Sequence, residues 1–429
     1  MRHFLAAGAS LLFLLAGPSA AGPTAAGPTS AGTPEQVADA ALKSAPVWDG
    51  HNDVPEQLRD RRKNILAGFD FNDTTGTADT AKGFIAMQTD LSRIRKGKLG
   101  AQFWSVYVSA NLTDQQAVQA TLEQIDTVKR LVAMYPKDLQ FCVDSTCVIA
   151  AQKAGRIASL VGMEGGHSIG GSLAVLRQMH ALGARYMTLT HFKNTAWADA
   201  ATDDPKHDGL TPFGEDVVRE MQRLGMLVDL SHVSEASMMD AYRVAKAPVI
   251  FSHSNARALN SHPRNVSDAA LQGLKANGGV LMVNFYPAYV VGDTRAWSVR
   301  RAGEKARIDA SHIGDSAGAK AELAEWEKAN PSPNGGITDV ANHIDYVAKL
   351  IGPDHVGLGG DLDGIDTTVK GMEDASTYPA LFVELARRGW SQADLEKLSS
   401  RNLMRVLKAA EAYAVSRRAD PPIENPTTF

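Results

Sequence analysis

Eight short β-rich runs recur along the chain, and helical patterns separate most of them. They are APVWDGHND (45–53), AQFWSVYV (101–108), RIASLVGMEG (156–165), ARYMTLTH (184–191), GMLVDLSH (225–232), APVIFSH (247–253), GGVLMVNF (278–285) and HVGLGGD (355–361). Between them, segments such as DQQAVQATLEQIDTVKRLVAMY and PFGEDVVREMQRLG carry apolar residues at helical spacing. Strands alternating with helices predict a parallel sheet. Eight such units predict a closed (β/α)8 barrel, a TIM-type α/β fold. An open doubly wound sheet is the runner-up, but no glycine-rich phosphate loop follows any run.

The ends of the runs carry the chemistry. The first ends in His51 and Asp53, the third in Glu164, the fourth in His191. The fifth ends in His232, the sixth in His253 and the eighth in Asp361. In a (β/α)8 barrel all these ends meet at one rim, the face that carries active sites. Residues two apart on a strand point the same way, so His51 and Asp53 are expected to enter the mouth together while Asn52 turns away. Imidazole and carboxylate converging there suit a borderline metal such as zinc. Either group would be costly to bury unpaired.

Other residues are set aside. His180, His207, His312 and His343 stand in helical or polar stretches and are read as structural, as is His355 at the opposite rim. His167 and His262 lie in rim loops, where substrate contact stays open. Asp361 and Asp363 compete for the role at the last strand, Asp361 closing it and Asp363 bracing the turn. Ser231 lacks a nucleophile elbow and is read as structural.

The N-terminus, MRHFLAAGASLLFLLAGPSAAG, has a positive Arg2, a short apolar Phe4–Ala16 stretch and Ser19-Ala20-Ala21 for cleavage. It reads as a signal peptide over 1–21, too short to span a bilayer. An exported protein, periplasmic or secreted, is expected. Residues 22–35 read as a disordered linker, 36–415 as one catalytic domain with an insertion near 286–337, and 416–429 as a tail. Within the insertion AKAELAEWEKAN looks helical; a lid, a subunit contact and a plain insertion all stay open. No C-terminal lipid-anchor signal is read, so no stable membrane anchor is expected. Formal net charge is -4, from 44 basic and 48 acidic residues without a basic stripe, which argues against a nucleic-acid partner. Export permits a disulfide between Cys142 and Cys147, the only two cysteines, but Cys147 in a helix capped near Asp144 leaves the pairing open.

The strings WDGHND, MEGGHS, LTHFKNTAWAD, DLSHVS, FSHSNAR, RNV, MVNFY and GGDLDG occur in this order between residues 48 and 364. Together they resemble the renal or membrane dipeptidase family of zinc peptidases. The resemblance implies two zinc ions per chain, with His51 and Asp53 on one, His232 and His253 on the other, and Glu164 bridging both. It implies that His191 contacts substrate and stabilises the tetrahedral intermediate, protonated in this reading. Arg264 matches the arginine holding the substrate carboxylate, and Asp361 the aspartate beside the catalytic water. The implied substrate is a dipeptide with free termini, with a D-residue tolerated at its C-terminal position. Two alternatives stay open: a metal-dependent amidohydrolase acting on non-peptide substrates, and a noncatalytic peptide-binding barrel. A homodimer also stays open.

Overall fold

A computed structural model describes residues 32–426. The expected signal peptide (1–21) and residues 22–31 of the expected linker lie outside the described residues. The linker's end needs correction. Thr33 caps a helix, Pro34–Ser44, with Gln36 closing a reciprocal capping box, so residues 33–35 belong to the folded domain.

Nine strands form one parallel sheet. They are β1 (Val47–Asn52), β2 (Leu99–Tyr107), β3 (Leu139–Phe141), β4 (Ile157–Glu164), β5 (Ala184–Thr188), β6 (Leu227–Asp229), β7 (Ile250–Phe251), β8 (Val280–Val283) and β9 (Val356–Leu358). Eight close a barrel in the order β2-β1-β9-β8-β7-β6-β5-β4, and β4 returns to β2 in register from Ala101↔Ala158 to Tyr107↔Glu164. The ninth, β3, was not among the expected runs. It borrows the first residues of β4, and β5 takes over that edge from Val161. Three residues are too few to show a period.

Inside the barrel, side chains two apart form columns. The lower layers are apolar: Trp48, Ala101, Phe103, Ala158, Leu160, Tyr186, Leu227, Ile250, Val280 and Met282 share one buried cluster. Leu403, Val406, Leu407 and Ala410 of the helix Asn402–Ser416 pack into the same cluster. One step further along the columns the composition turns polar, with Ser105, Glu164, Thr188, Asp229, Ser252 and Asn284, all buried. The barrel therefore has an apolar floor and a polar ceiling, and the ceiling is where the loops begin.

Outside, the helices bury one face each. In Pro212–Leu224 the buried Val217, Val218 and Met221 recur at helical spacing. Thr211 caps its start, and Gly225 at φ 77° ends it in the left-handed conformation that glycine adopts without strain. The insertion holds a short helix, Pro287–Val290, and two longer ones, Gly292–Ser311 and Ser316–Ala329, the last of which bears out the helical reading of its second half. The longer two are joined by an Arg301–Glu327 ion pair of 2.6 Å and by Trp297 against Trp326 at 6.1 Å. Cys142 and Cys147 form a disulfide with Cα atoms 5.4 Å apart, and Asp144 caps the helix that holds Cys147. The tail is docked: Arg177 donates to the Ile423 carbonyl, and the Ile423 amide donates to Glu220. Among the described residues no helix is long and apolar enough to cross a membrane.

Candidate metal centre

Strict alternation from Trp48, which points into the barrel, would turn His51 outward. The ladder between β1 and β2 corrects this. Asp49 pairs with Gln102 but Asn52 pairs with Trp104, so β1 carries one extra residue there. Such a bulge re-aims side chains. Gly50 still faces the interior, where a Cβ would lie 2.4 Å from the Met282 sulfur. His51 then enters the mouth as well. Asn52 turns away and donates to Thr89 at 2.8 Å. The expected orientation is right, but the bulge produces it. Asp49 fixes the bulge by accepting from the amides of His51 and Gly360, from Gln102 and from the Tyr378 hydroxyl.

Glu164 ends β4 and stands at the centre. Its Oε2 lies 3.4 Å from His51 Nε2, while Oε1 lies 3.0 Å from His232 Nε2 and 3.4 Å from His253 Nε2. His51 Nε2 is 3.3 Å from Asp53 Oδ2 and 3.9 Å from Asp361 Oδ1. His191 Nε2 is 3.7 Å from Glu164 Oε1. Thus the expected residues His51, Asp53, Glu164, His191, His232, His253 and Asp361 converge. Their placement differs in one respect: Asp53, His191, His232, His253 and Asp361 lie past the strands, which end at Asn52, Thr188, Asp229, Phe251 and Leu358. His232 and Asp361 have left-handed backbones, at φ 69° and 61°. Such conformations are costly for non-glycine residues and concentrate at functional sites.

The donor set fits metal. Three overlapping triads, His51/Asp53/Glu164, Glu164/His232/His253 and His51/His253/Asp361, bring their ligand atoms within 4.8 Å of one another. His51 Nε2 and Asp53 Oδ1 are buried without a hydrogen-bond partner. The outer contacts set the tautomers. Ser252 donates its proton to Asp229 at 2.6 Å, so at 2.8 Å it accepts from His253 Nδ1–H. That leaves the His253 Nε2 lone pair facing inward. The Tyr186 hydroxyl lies 2.8 Å from His51 Nδ1 and holds that ring from behind. Burial, with His51 and Arg264 adding to it, holds His253 well below the usual imidazole range; burial and Arg264 do the same to His232. Burial disfavours the Glu164 charge, but the facing histidines, His51 first, hold its carboxyl well below the usual range. A neutral imidazole pair beside an ionised carboxylate is a set of lone pairs in want of a cation.

One expectation is corrected. Burial outweighs Glu164 and lowers His191 to about 4, so this imidazole is neutral at neutral pH. It still offers one N–H.

Asp361 Oδ2 accepts from Asn284 at 2.8 Å, and burial raises its carboxyl well above the usual range against the charge of His51. Asp363 exchanges two hydrogen bonds with Gln88 and braces the turn. Arg264 is 1% exposed. It donates to Ser254 Oγ at 2.7 Å and the His253 carbonyl at 2.9 Å, packs over Tyr289, and has an unpartnered Nε. It stands behind the cavity wall, whose surface there is Tyr289 and Tyr286. His167 bonds the Val108 carbonyl and His262 accepts from the Arg264 amide; neither lines the cavity. Ser231 is held by the His253 carbonyl and Ser254.

The cavity above the centre measures about 380 Å³. Sequence reasoning missed Glu56, Tyr107, Phe192, Tyr286, Tyr289 and Asp366 in its wall. Only Tyr107 had a usable signal, since it shares a column with Phe103 and Ser105.

Comparison with known proteins decides the family. Residues 35–420 match the model described as membrane dipeptidase, peptidase family M19. This chain belongs to that family. It is a metallodipeptidase, a hydrolase acting on peptide bonds. An uncharacterized dipeptidase of Schizosaccharomyces pombe is 39% identical over 407 residues, covering 91% of this chain and 87% of the relative. Dipeptidase 3 of Macaca fascicularis is 38% identical over 392 residues, covering 90% and 70%. A metallopeptidase of Rhodobacter sphaeroides, solved with a phosphinate mimic of the dipeptide L-Ala-D-Ala, superposes with a TM-score of 0.69 at 23% identity, over 85% of this chain and 99% of that one. The last likeness concerns the fold alone.

Proposed function

We infer that this metallodipeptidase is a dizinc enzyme for dipeptides with free termini, exported from the cytoplasm. One observation carries the metal count: Glu164 divides its oxygens, Oε2 toward His51 and Asp53, Oε1 toward His232 and His253. Two zinc ions bound there supply Lewis acidity to the scissile carbonyl and lower the pKa of the attacking water. The chain does the rest. Asp361, with Oδ2 held by Asn284, presents Oδ1 to the water, takes its proton and passes it to the leaving amine. His191 directs its N–H at the developing oxyanion. Arg264 pairs with the substrate carboxylate through donors not committed to Ser254 and His253.

Acceptance of a C-terminal D-residue is supported by the family resemblance and by the dipeptide mimic bound in the Rhodobacter neighbour. Export is supported by the N-terminal segment and by the Cys142–Cys147 disulfide, a bond of oxidising compartments.

The test is metal content with turnover. Wild type is expected to hold close to two zinc ions per chain. Glu164→Gln is expected to lose bound metal and nearly all activity, because a carboxamide has no charge and one strong acceptor. Full activity in this variant, or active enzyme free of metal, overturns the dizinc reading.

A further inference from the structure

A dipeptide with free termini brings an ammonium as well as a carboxylate, and the metal and Arg264 leave the ammonium without a partner. We propose that Glu56 binds the substrate's free α-ammonium. This rests on the dipeptide reading above.

Glu56 lines the catalytic cavity together with Asp53 and Tyr107. It lies in the first turn of the helix Val54–Arg62, where the helix N-terminus favours negative charge, but burial and then the Asp53 charge raise its carboxyl to about 9, so an arriving ammonium is what ionises it. One face of its carboxylate is held: Oε1 accepts from Arg59 Nη2 at 3.2 Å. Arg59 is itself anchored, with Nη1 on the Tyr107 carbonyl at 2.7 Å and its guanidinium 5.6 Å from the Tyr107 ring centre. Among the described residues nothing donates to Oε2. The side chain is 20% exposed, so water is thinned around it while the cavity stays open.

Topology places this carboxylate well. Around the barrel, β2 and β7 are four strands apart in the sequence β2-β1-β9-β8-β7, which is opposite in a ring of eight. Glu56 follows β1 and is pinned by Arg59 to the end of β2. Arg264 follows β7. The metal ligands lie between. A short substrate crossing the mouth, carboxylate toward Arg264, therefore extends its ammonium toward Glu56. Asp366 also lines the cavity, but it is solvent-exposed and follows β9, midway between β2 and β7 around the ring. A solvated carboxylate gains less from an ion pair than a shielded one.

The experiment compares substrates that differ only in the amine. Metal-loaded wild type, Glu56→Gln, Glu56→Asp and Asp366→Asn are each assayed on L-Ala-L-Ala and L-Ala-D-Ala and on their propionyl counterparts. The readout is the amine-to-propionyl ratio of kcat/KM, or of Ki where turnover is too slow to follow. Melting temperature and metal content report folding. Wild type is expected to favour the amine by about 10- to 100-fold, the worth of a charge-assisted contact. In Glu56→Gln the ratio should fall toward one, with Glu56→Asp intermediate and Asp366→Asn like wild type. A merely structural Glu56 would weaken both substrates alike, leave the ratio unmoved and overturn the proposal. Loss of the ratio in Asp366→Asn instead, or a wild type indifferent to the amine, overturns it too. If wild type hydrolyses and binds none of these compounds, the dipeptide reading fails and takes this one with it. If wild type cleaves the dipeptides and only the Glu56 ratio stays fixed, the dipeptide reading stands and this one falls.

Discussion

The two roles that buried histidines play in one cavity separate at the level of single atoms. His51 and His253 have their Nδ1 atoms engaged, by Tyr186 and Ser252, and their Nε2 atoms aimed at Glu164. His232 and His191 both have an unpartnered Nδ1, but His232 Nε2 comes within 3.0 Å of Glu164 while His191 Nε2 stands off at 3.7 Å. The closer approach suits ligands, two of them oriented from behind; the stand-off leaves the His191 ring free to meet substrate. His191→Ala is therefore expected to keep its metal and lose about 10²–10³-fold in kcat, the usual cost of one oxyanion donor. Elemental analysis and steady-state kinetics on the same preparation check this. Stoichiometric loss of zinc would make His191 a ligand instead. The pKa shift bears on the proposed role: a ring lowered to about 4 would donate to the oxyanion as neutral imidazole across the neutral pH range.

At the scale of elements, the interior columns of β4 and β5 pack closely beneath the site. Gly162 lies between Leu160 and Glu164, and a Cβ there would sit 2.0 Å from the Tyr186 ring. That ring packs against Phe103 at 4.9 Å, and its hydroxyl holds His51. Gly162→Ala is thus expected to displace Tyr186 and cost about 1–3 kcal/mol by overpacking. It should also weaken metal binding at His51. Thermal unfolding and zinc titration measure the two effects; a variant as stable and as tight as wild type would mean the column has slack. These elements also show what the sequence could reveal. Glu164 was legible because β4 is long, buried on both faces and ends where its column meets the ceiling. His232 and His253 were legible as residues just beyond apolar runs, but not as left-handed or loop residues, since backbone conformation leaves no periodic trace. The bulge at Gly50 was invisible because one inserted residue alters pairing, not composition. Glu56 and Tyr286 were missed because a polar residue early in a helix or loop resembles any solvated one until its cavity is known. The roles of Arg264 and the bridging by Glu164 came from resemblance, since spacing along the chain does not encode a distance across the barrel.

Across the whole molecule, the proposed role of Arg264 would make the barrel mouth a gauge of substrate length. In that reading the metal centre would set the position of the scissile carbonyl, and Arg264, carried by the segment after β7, would set the far end. Arg264 is buried, and its bonds to Ser254 and the His253 carbonyl tie it to the loop that carries a metal ligand. Two roles follow, bracing that loop and receiving a carboxylate, and they move different observables. If the carboxylate docks there, dipeptides are cleaved, their C-terminal amides are very poor substrates, and longer peptides fail because a further peptide unit would occupy the carboxylate position. Arg264→Ala should then raise KM and lower kcat/KM by the equivalent of roughly 3–5 kcal/mol, the cost of leaving a buried charge unpaired. The preference for free acid over amide should collapse with it. Arg264→Lys should restore only part of that preference, because lysine brings charge without the planar fork. Bracing alone predicts a lower melting temperature in Arg264→Ala with the acid-to-amide preference intact. Both variants will lose some stability, so the preference ratio decides between the roles. A wild-type enzyme that cleaves dipeptide amides as readily as free dipeptides would leave Arg264 as a brace and remove the gauge.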